Sequence, residues 1–141
     1  MTGKISILEK IMSEINTNPP VTWLIPIKNG MPYLTECLES IYRQTYSNHK
    51  ILAWVNHCHD DTITELKKWI PSRIPGKIIS DSPIENLGEC RAELVKHADT
   101  ELLALIDSDD VNDINRLSEQ IEIIKSSKKI AAVGSWIRII D

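Results

Sequence analysis

An apolar run that ends abruptly in acidic residues is the feature that most constrains the fold of this chain. Residues Leu102–Ile106 are all apolar, and Asp107-Ser108-Asp109-Asp110 follow them directly. The run predicts a strand buried on both faces. Clustered acids do not stabilise a buried strand, and their charges repel one another unless a cation or hydrogen-bond donors compensate. The pattern therefore predicts a site at the carboxyl end of a central strand, where open α/β sheets bind their ligands.

Carboxylate oxygens at such a site favour particular cations. Hard divalent ions such as Mg²⁺ or Mn²⁺ prefer oxygen ligands, and they commonly accompany a phosphorylated ligand. An alternative stays open at this point, in which Asp110 caps the following helix and the other acids are ordinary surface residues.

Length, charge and cysteine content narrow the class of protein. The 141 residues suit one domain, and the net charge of -4 argues against a nucleic-acid-binding surface. Three scattered cysteines without a C-x-x-C pair indicate neither a disulfide framework nor structural zinc, and free thiols are typical of reducing compartments. No apolar run is long enough to span a bilayer. We expect a cytoplasmic protein, either free or peripheral to the membrane.

The hydrophobic pattern predicts an N-terminal helix followed by an α/β domain. Within residues 1–20, apolar side chains recur at helical spacing over Lys4–Ile15, which predicts a helix. Pro19-Pro20 then prevent the helix from continuing. Residues 21–141 alternate strand and helix patterns, which predicts a doubly wound, mainly parallel sheet with helices on both faces. The predicted strands are 21–25, 50–55, 77–79, 102–106 and 130–133, with 136–140 as a candidate sixth, and the predicted helices are 33–44, 61–70, 86–98 and 114–127.

Unusual polar residues follow each of the first four predicted strands. Loops after parallel strands meet at one edge of the sheet, so residues 26–30, 56–61, 80–83 and 107–110 are expected to converge. No G-x-G-x-x-G follows the first strand and no G-x-x-x-x-G-K-[ST] occurs, which argues against a Rossmann dinucleotide site and excludes a P-loop.

Several motifs, in order and at consistent spacing, resemble the family-2 glycosyltransferases of the GT-A fold. The resemblance runs from about Val21 to Asp141. Val21–Asn29 is similar to the family's first strand and Pro-x-x-Asn turn, and Asp107-Ser108-Asp109-Asp110 is similar to its DxD signature. Further matches are Tyr33-Leu34, Leu38–Ile41, Gln44-Thr45-Tyr46, Arg91, Arg116-Leu117 and Gln120.

The resemblance implies an inverting transfer of a sugar from a nucleotide-diphosphate donor to the hydroxyl of a saccharide or other acceptor. It implies that Asp109 binds Mn²⁺ or Mg²⁺, and that Asp107 orients the nucleotide ribose or reaches the metal through water. An ion on the diphosphate neutralises the charge that develops as the glycosidic bond breaks. The residues expected to contact the nucleotide sugar are Pro26, Lys28, Asn29, Asn56, Arg91, Asp107 and Ser108.

The chain departs from the family pattern after the second strand. Where the family usually has Asp-Asp-Gly-Ser, this chain has Val55-Asn56-His57-Cys58, so the position that reads the nucleobase falls on Asn56. An amide can still bond a uracil ring, and a UDP-type donor is the leading expectation. His57, Cys58 and His59 are an incomplete set of soft-metal ligands, and a base-binding loop is the favoured interpretation.

A second departure concerns the acceptor. By resemblance, the acceptor-binding half and the general base that deprotonates the acceptor lie downstream of Asp141. We therefore expect a donor-binding half that is inactive by itself and able to self-associate through an uncovered sheet edge. The alternative is a catalytically incomplete donor-binding or assembly module that acts through a partner. A metal-dependent nucleotidyltransferase is disfavoured, because no glycine-rich, basic loop follows the first strand.

Overall fold

Four parallel strands form one sheet in the computed structural model of this protein, which describes residues 18–80, 83–84 and 86–140. The strands are β1 (Val21–Ile27), β2 (His49–Val55), β3 (Gly76–Ile79) and β4 (Leu102–Leu105), in the spatial order β3-β2-β1-β4. Each of the first two crossovers adds a strand on one side of β1, and the third returns to the other side. The order therefore reverses between β1 and β4, which is the kind of position where such sheets bind ligands.

Helices cover both faces of this sheet, which confirms the predicted α/β class. The described helices are α1 (Leu34–Tyr42), α2 (Thr62–Trp69), α3 (Leu87–His97) and α4 (Arg116–Ser126). Leu38 of α1, Leu66 of α2 and Leu117 of α4 are buried in the core on one face. Helix α3 covers the opposite face, where Leu94 belongs to the same buried cluster as Leu24.

The sequence explains why these segments adopt these elements. Strand β1 is buried at all seven positions because it is flanked by strands on both sides and by helices on both faces. Helix α1 places Leu34, Leu38 and Ile41 on one fully buried face, and burial of each such side chain stabilises the fold by about 1.5–3 kcal/mol. Helix α3 is capped at its N-terminus by Asn86, whose Oδ1 accepts hydrogen bonds from the Gly88 and Glu89 amides at 2.8 and 3.2 Å.

The prediction that Leu102–Ile106 is buried on both faces is wrong. Ala104 and Ile106 are buried against the core, but Leu103 and Leu105 are 37% and 51% exposed. Helix α3 packs over β1 and β2 and leaves this face of β4 uncovered. Within the described residues β4 also lies at an edge of the sheet. An apolar run indicates that both faces of a strand are hydrophobic, but it does not indicate whether another element packs against each face.

The predicted strands at 130–133 and 136–140 are also wrong. The structure assigns no helix or strand to residues 130–140, and Trp136, Ile137 and Ile139 are each at least 89% exposed. A strand requires a neighbouring backbone with which to exchange hydrogen bonds, and the apolar pattern alone does not supply one. The predicted helix over Lys4–Ile15 lies outside the described residues. Among the residues that are described, no helix combines the length and apolar character needed to cross a bilayer.

Candidate functional site

The acidic segment follows β4 and forms a turn at the edge of the sheet. The Asp110 amide donates to the Asp107 carbonyl at 3.2 Å, Asp107 is half-buried, and Asp109 and Asp110 are exposed. Helix α4 begins only at Arg116, after its N-cap Asn115. Because the acids stand well before this helix, Asp110 does not cap it, and the predicted cap is wrong. The segment presents carboxylates to solvent beside the point where the strand order reverses.

Arg91 of α3 brings a positive charge to this segment. Its Nη2 lies 2.6 Å from Oδ1 of Asp107, and the two side chains are 37% and 47% exposed. Solvent screens a pair this exposed, so its contribution to stability is at most about 1 kcal/mol. Its main consequence is geometric, since a guanidinium with several hydrogen-bond donors is placed next to the carboxylates.

A buried thiol lies beneath the acids. Cys37 Sγ of α1 donates to the Asp107 carbonyl at 3.5 Å. Burial raises the pKa of Cys37 from 9.0 to about 12, and the charges of Asp110, Asp109 and Asp107 add to this shift. The thiol therefore remains protonated at neutral pH and serves as a hydrogen-bond donor rather than as a nucleophile.

The loops after β1 and β2 are bonded to each other. The Asn29 side chain accepts a hydrogen bond through Oδ1 from the backbone amide of His59 at 2.8 Å. The backbone amide of Asn29 donates to Cys58 Sγ at 3.1 Å. Asn29 and His57 have φ values of 54° and 46°, a conformation that is uncommon for residues other than glycine. Asp60 continues the connection by accepting from the Met31 amide at 3.0 Å. The hydrogen bond from the Thr62 hydroxyl is the main cause that lowers the pKa of Asp60.

Asn56 uses both ends of its side-chain amide within the protein. Its Oδ1 accepts from the Ile84 amide at 3.1 Å, and its Nδ2 donates to the Ile84 carbonyl. Asn56, the residue expected to read a nucleobase, thus pairs with the backbone of Ile84. The Ile84 amide and carbonyl offer it the donor and acceptor that the edge of a base would offer.

The predicted site residues fall into three groups in the structure. Arg91 and Asp107 are in direct contact, with Ser108 and Asp109 in the same turn. Lys28, Asn29 and Asn56 follow β1 and β2 at the same edge of the sheet. Pro26 is different, because β1 extends two residues further than predicted and Pro26 is buried inside it, opposite Trp54. Three polar residues beneath the acidic segment, Cys37, Ser40 and Gln44, were not predicted as part of the site.

The donor atoms at the acidic turn suit a small divalent cation. Such an ion is often held by one or two carboxylates, with phosphate oxygens and water completing its coordination. In the part of the chain that the structure describes, no three His, Cys, Asp or Glu side chains converge as a metal-binding group. Asp107 and Asp109 therefore fit an ion that a phosphorylated ligand helps to coordinate. His57, Cys58 and His59 do not form the closed ligand set of a structural zinc ion.

Comparisons with known proteins agree on one family and one fold. Residues 22–141 match the family model of glycosyl transferase family 2. The chain is 26% identical over 116 residues to the Escherichia coli UDP-Glc:alpha-D-GlcNAc-diphosphoundecaprenol beta-1,3-glucosyltransferase WfgD, covering 82% of this chain and 45% of that protein. The chain spans about half the length of the curated relatives it matches.

Two solved structures have a similar fold. The structure of S. aureus TarS 1–349 in complex with UDP-GlcNAc superposes with a TM-score of 0.70 at 21% identity, over 76% of this chain and 31% of that one. The mannosyltransferase PcManGT from Pyrobaculum calidifontis, in complex with GDP-Man and Mn²⁺, gives a TM-score of 0.70 at 19% identity, over 77% and 33% of the two chains. At these identities the likeness establishes the fold, which is the GT-A type expected from the motifs.

Proposed function

Since the chain belongs to glycosyl transferase family 2, we propose that it supplies the nucleotide-sugar and metal site of an inverting glycosyltransferase. The observation that carries the proposal is the acidic turn after β4, which stands beside the reversal of strand order with Arg91 bonded to Asp107. Carboxylates and a guanidinium at such a position suit a divalent ion and a diphosphate respectively.

The proposed ligand is a nucleotide-diphosphate sugar with Mn²⁺ or Mg²⁺. The neighbouring structures contain UDP-GlcNAc in one case and GDP-Man with Mn²⁺ in the other, so the fold accommodates more than one base. For this chain we propose a UDP-type donor, with Lys28, Asn29, Asn56 and Ser108 near the nucleotide. Reading of the base by the Asn56 amide requires that it exchange its bonds with Ile84 for bonds to the ligand.

The roles of the residues follow from their chemistry. Asp109 and Asp107 are proposed to hold the ion, which when bound neutralises charge on the diphosphate leaving group. Arg91 orients the Asp107 carboxylate and offers further donors toward phosphate oxygens. The acceptor hydroxyl must lose a proton as its oxygen attacks the sugar from the face opposite the leaving group. We assign no residue of this chain to that step, and we expect residues 1–141 alone to bind the donor without transferring the sugar.

Calorimetry with UDP and GDP tests this proposal directly. Binding is expected in the presence of Mn²⁺ and is expected to be lost when EDTA removes the ion. In Asp109→Asn, addition of Mn²⁺ should no longer strengthen nucleotide binding. Glu101→Gln provides a matched control, because Glu101 is an exposed acid at the opposite end of β4. Absence of Mn²⁺-dependent binding of either nucleotide at millimolar concentration would overturn the proposal.

A second candidate function is a donor-binding or assembly module that acts through a partner. The observation favouring it is that Asn56 occupies the base-reading position and already bonds a backbone. A module of this kind would form a stable complex with its partner, whereas a transferase does not require such a complex. Titration calorimetry separates an assembly module from the first candidate, since only the proposed donor site requires Mn²⁺-dependent binding of UDP.

A further inference from the structure

Three polar side chains form a stripe beneath the acidic turn. Cys37 and Ser40 lie in α1, and Gln44 follows the end of that helix, so the three share one face at a spacing of three and four residues. Cys37 is fully buried, and Ser40 and Gln44 are each only 7% exposed. The stripe lies among the apolar residues of α1, where a polar group is costly unless it is hydrogen-bonded.

Each of the three side chains in this stripe bonds to the segment that carries the acids. Ser40 Oγ accepts from the backbone and side-chain amides of Asn112, each at 3.0 Å. Gln44 Nε2 donates to the Asp113 carbonyl at 2.6 Å, and Gln44 Oε1 accepts from the Leu117 amide at 3.0 Å. With Cys37 bonded to the Asp107 carbonyl, the segment is held at points before and after Asp109.

Members of the stripe also bond to the helix that carries them. Ser40 Oγ donates to the Cys37 carbonyl at 2.7 Å, and Gln44 Nε2 also donates to the Ser40 carbonyl at 3.1 Å. The two side chains are therefore oriented by α1 before they meet the segment. Such an arrangement fixes one backbone path for residues 107–117, because any other path leaves buried donors and acceptors unpaired.

A second anchor holds the same segment from the other side. Arg116 donates through Nη2 to the Leu105 carbonyl of β4 at 3.0 Å and through Nη1 to Asn112 Oδ1. Its guanidinium also stacks 5.2 Å from the centre of the Trp23 ring. The segment is thus tied to α1 and to β4, while Asp109 and Asp110 between these ties are exposed.

We infer that Ser40 and Gln44 are positioning residues, which set the affinity of the acidic turn for a metal–nucleotide ligand without touching that ligand. The inference rests on the proposed function, since it concerns the same turn. Residues that orient metal ligands commonly change metal affinity by about 10- to 100-fold when replaced. The backbone ties to Asn112, Asp113 and Leu117 are the means by which these two side chains would act.

The test compares two variants with a control of matched burial. Gln44→Met keeps the volume but removes the bonds to Asp113 and Leu117, and Ser40→Ala removes the acceptor for Asn112. Thr22→Val is the control, because Thr22 is 2% exposed and the variant loses one partly buried hydrogen bond, of 2.6 Å to the Thr100 hydroxyl, at the opposite end of the sheet. Each protein is titrated with UDP and Mn²⁺ by calorimetry at a temperature where denaturation curves show it folded.

Gln44→Met is expected to bind UDP with Mn²⁺ about 10-fold or more weakly than wild type, and Ser40→Ala to show a smaller loss. Thr22→Val should bind as wild type does even though it is less stable. Wild-type affinity in both stripe variants would overturn the inference, and Ser40→Ala alone decides the matter if Gln44→Met does not fold.

Amide hydrogen exchange separates a failure of this inference from a failure of the proposed function. Without any nucleotide, exchange across residues 107–117 should be faster in Gln44→Met than in wild type and unchanged in Thr22→Val. Unchanged protection in Gln44→Met would overturn the positioning role. If wild type itself binds no nucleotide, the proposed function is wrong, and with it the claim about affinity, while the exchange result still reports on the ties.

Discussion

The loop after β2 and the turn after β4 both contain clustered polar residues at the same edge of the sheet, but they use them differently. After β2, the side chains of Asn56 and Asp60 are bonded to backbone groups of neighbouring loops. After β4, the backbone is tied down by residues from α1, while the Asp109 and Asp110 side chains are exposed. The first arrangement uses the Asn56 and Asp60 side chains to hold the loops together. The second holds the backbone and keeps carboxylates available, which is what binding a ligand requires.

The largest expected effect concerns the turn after β4. Asp109→Asn should weaken Mn²⁺-dependent nucleotide binding by about 100-fold, because an amide is a poorer ligand for a hard cation than a carboxylate. The free energy of unfolding should change by less than about 0.5 kcal/mol, since the side chain is exposed. Titration calorimetry and urea denaturation measure the two quantities. A large loss of stability with unchanged binding would reverse the roles assigned to the two loops.

The matching change in the loop after β2 should act mainly on stability. Asn56→Leu removes both bonds to Ile84 and leaves a backbone donor and acceptor without these partners, which should lower the free energy of unfolding by about 1–3 kcal/mol. Urea denaturation checks this figure. If Asn56→Leu instead left stability unchanged and abolished UDP binding, the side chain would be a ligand contact rather than a structural one.

Arg91→Gln should have an intermediate effect on binding and a small one on stability. The pair with Asp107 is half-exposed, so its loss should cost at most about 1 kcal/mol of unfolding free energy. If the guanidinium also meets the diphosphate, affinity for UDP with Mn²⁺ should fall several-fold. The difference between wild type and variant should shrink as salt is raised, because screening weakens exposed charge interactions. An equal loss of affinity for uridine, which has no phosphate, would contradict this role.

The smallest expected effect is a pH dependence beneath the turn. In the folded protein the pKa of Cys37 is raised from 9.0 to about 12, so the folded state resists ionisation of the thiol. Between about pH 9 and 12 the unfolded chain loses this proton first, and the contribution of the thiol to stability falls as pH rises. Wild type should therefore lose more stability than Cys37→Ala between pH 8 and pH 10. Equal losses in urea denaturation would show that the thiol does not experience this environment.

Much of the site was predictable because its signals are local in sequence. The strand at Leu102–Ile106 and the acids behind it are contiguous, so periodicity and charge predict both the element and the edge of the sheet where it ends. Whether Leu103 and Leu105 would be covered depends on the path of α3, and whether residues 130–140 form strands depends on a neighbouring strand. Neither of these is a local property, and both predictions are wrong for that reason.

The residues that sequence reasoning missed share a different cause. Ser40 and Gln44 interrupt an otherwise apolar helical pattern, and a pattern of hydrophobicity treats such interruptions as surface positions. Their partners Asn112, Asp113 and Leu117 are about 70 residues away in the chain. The bonds of Asn56 to Ile84 are likewise long-range. Two local signs could have marked the stripe: a polar residue within the buried face of a helix, and the family matches at Leu38–Ile41 and Gln44-Thr45-Tyr46.

The central claim is that the turn after β4, and not the loop after β2, holds the metal ion of the metal–nucleotide ligand. Paramagnetic broadening of backbone amide signals by Mn²⁺ in the presence of UDP tests it most directly. The claim predicts that the signals of residues 107–110 broaden first, and that this pattern disappears in Asp109→Asn and persists in Glu101→Gln. Broadening centred on His57, Cys58 and His59, or broadening unaffected by Asp109→Asn, would contradict it.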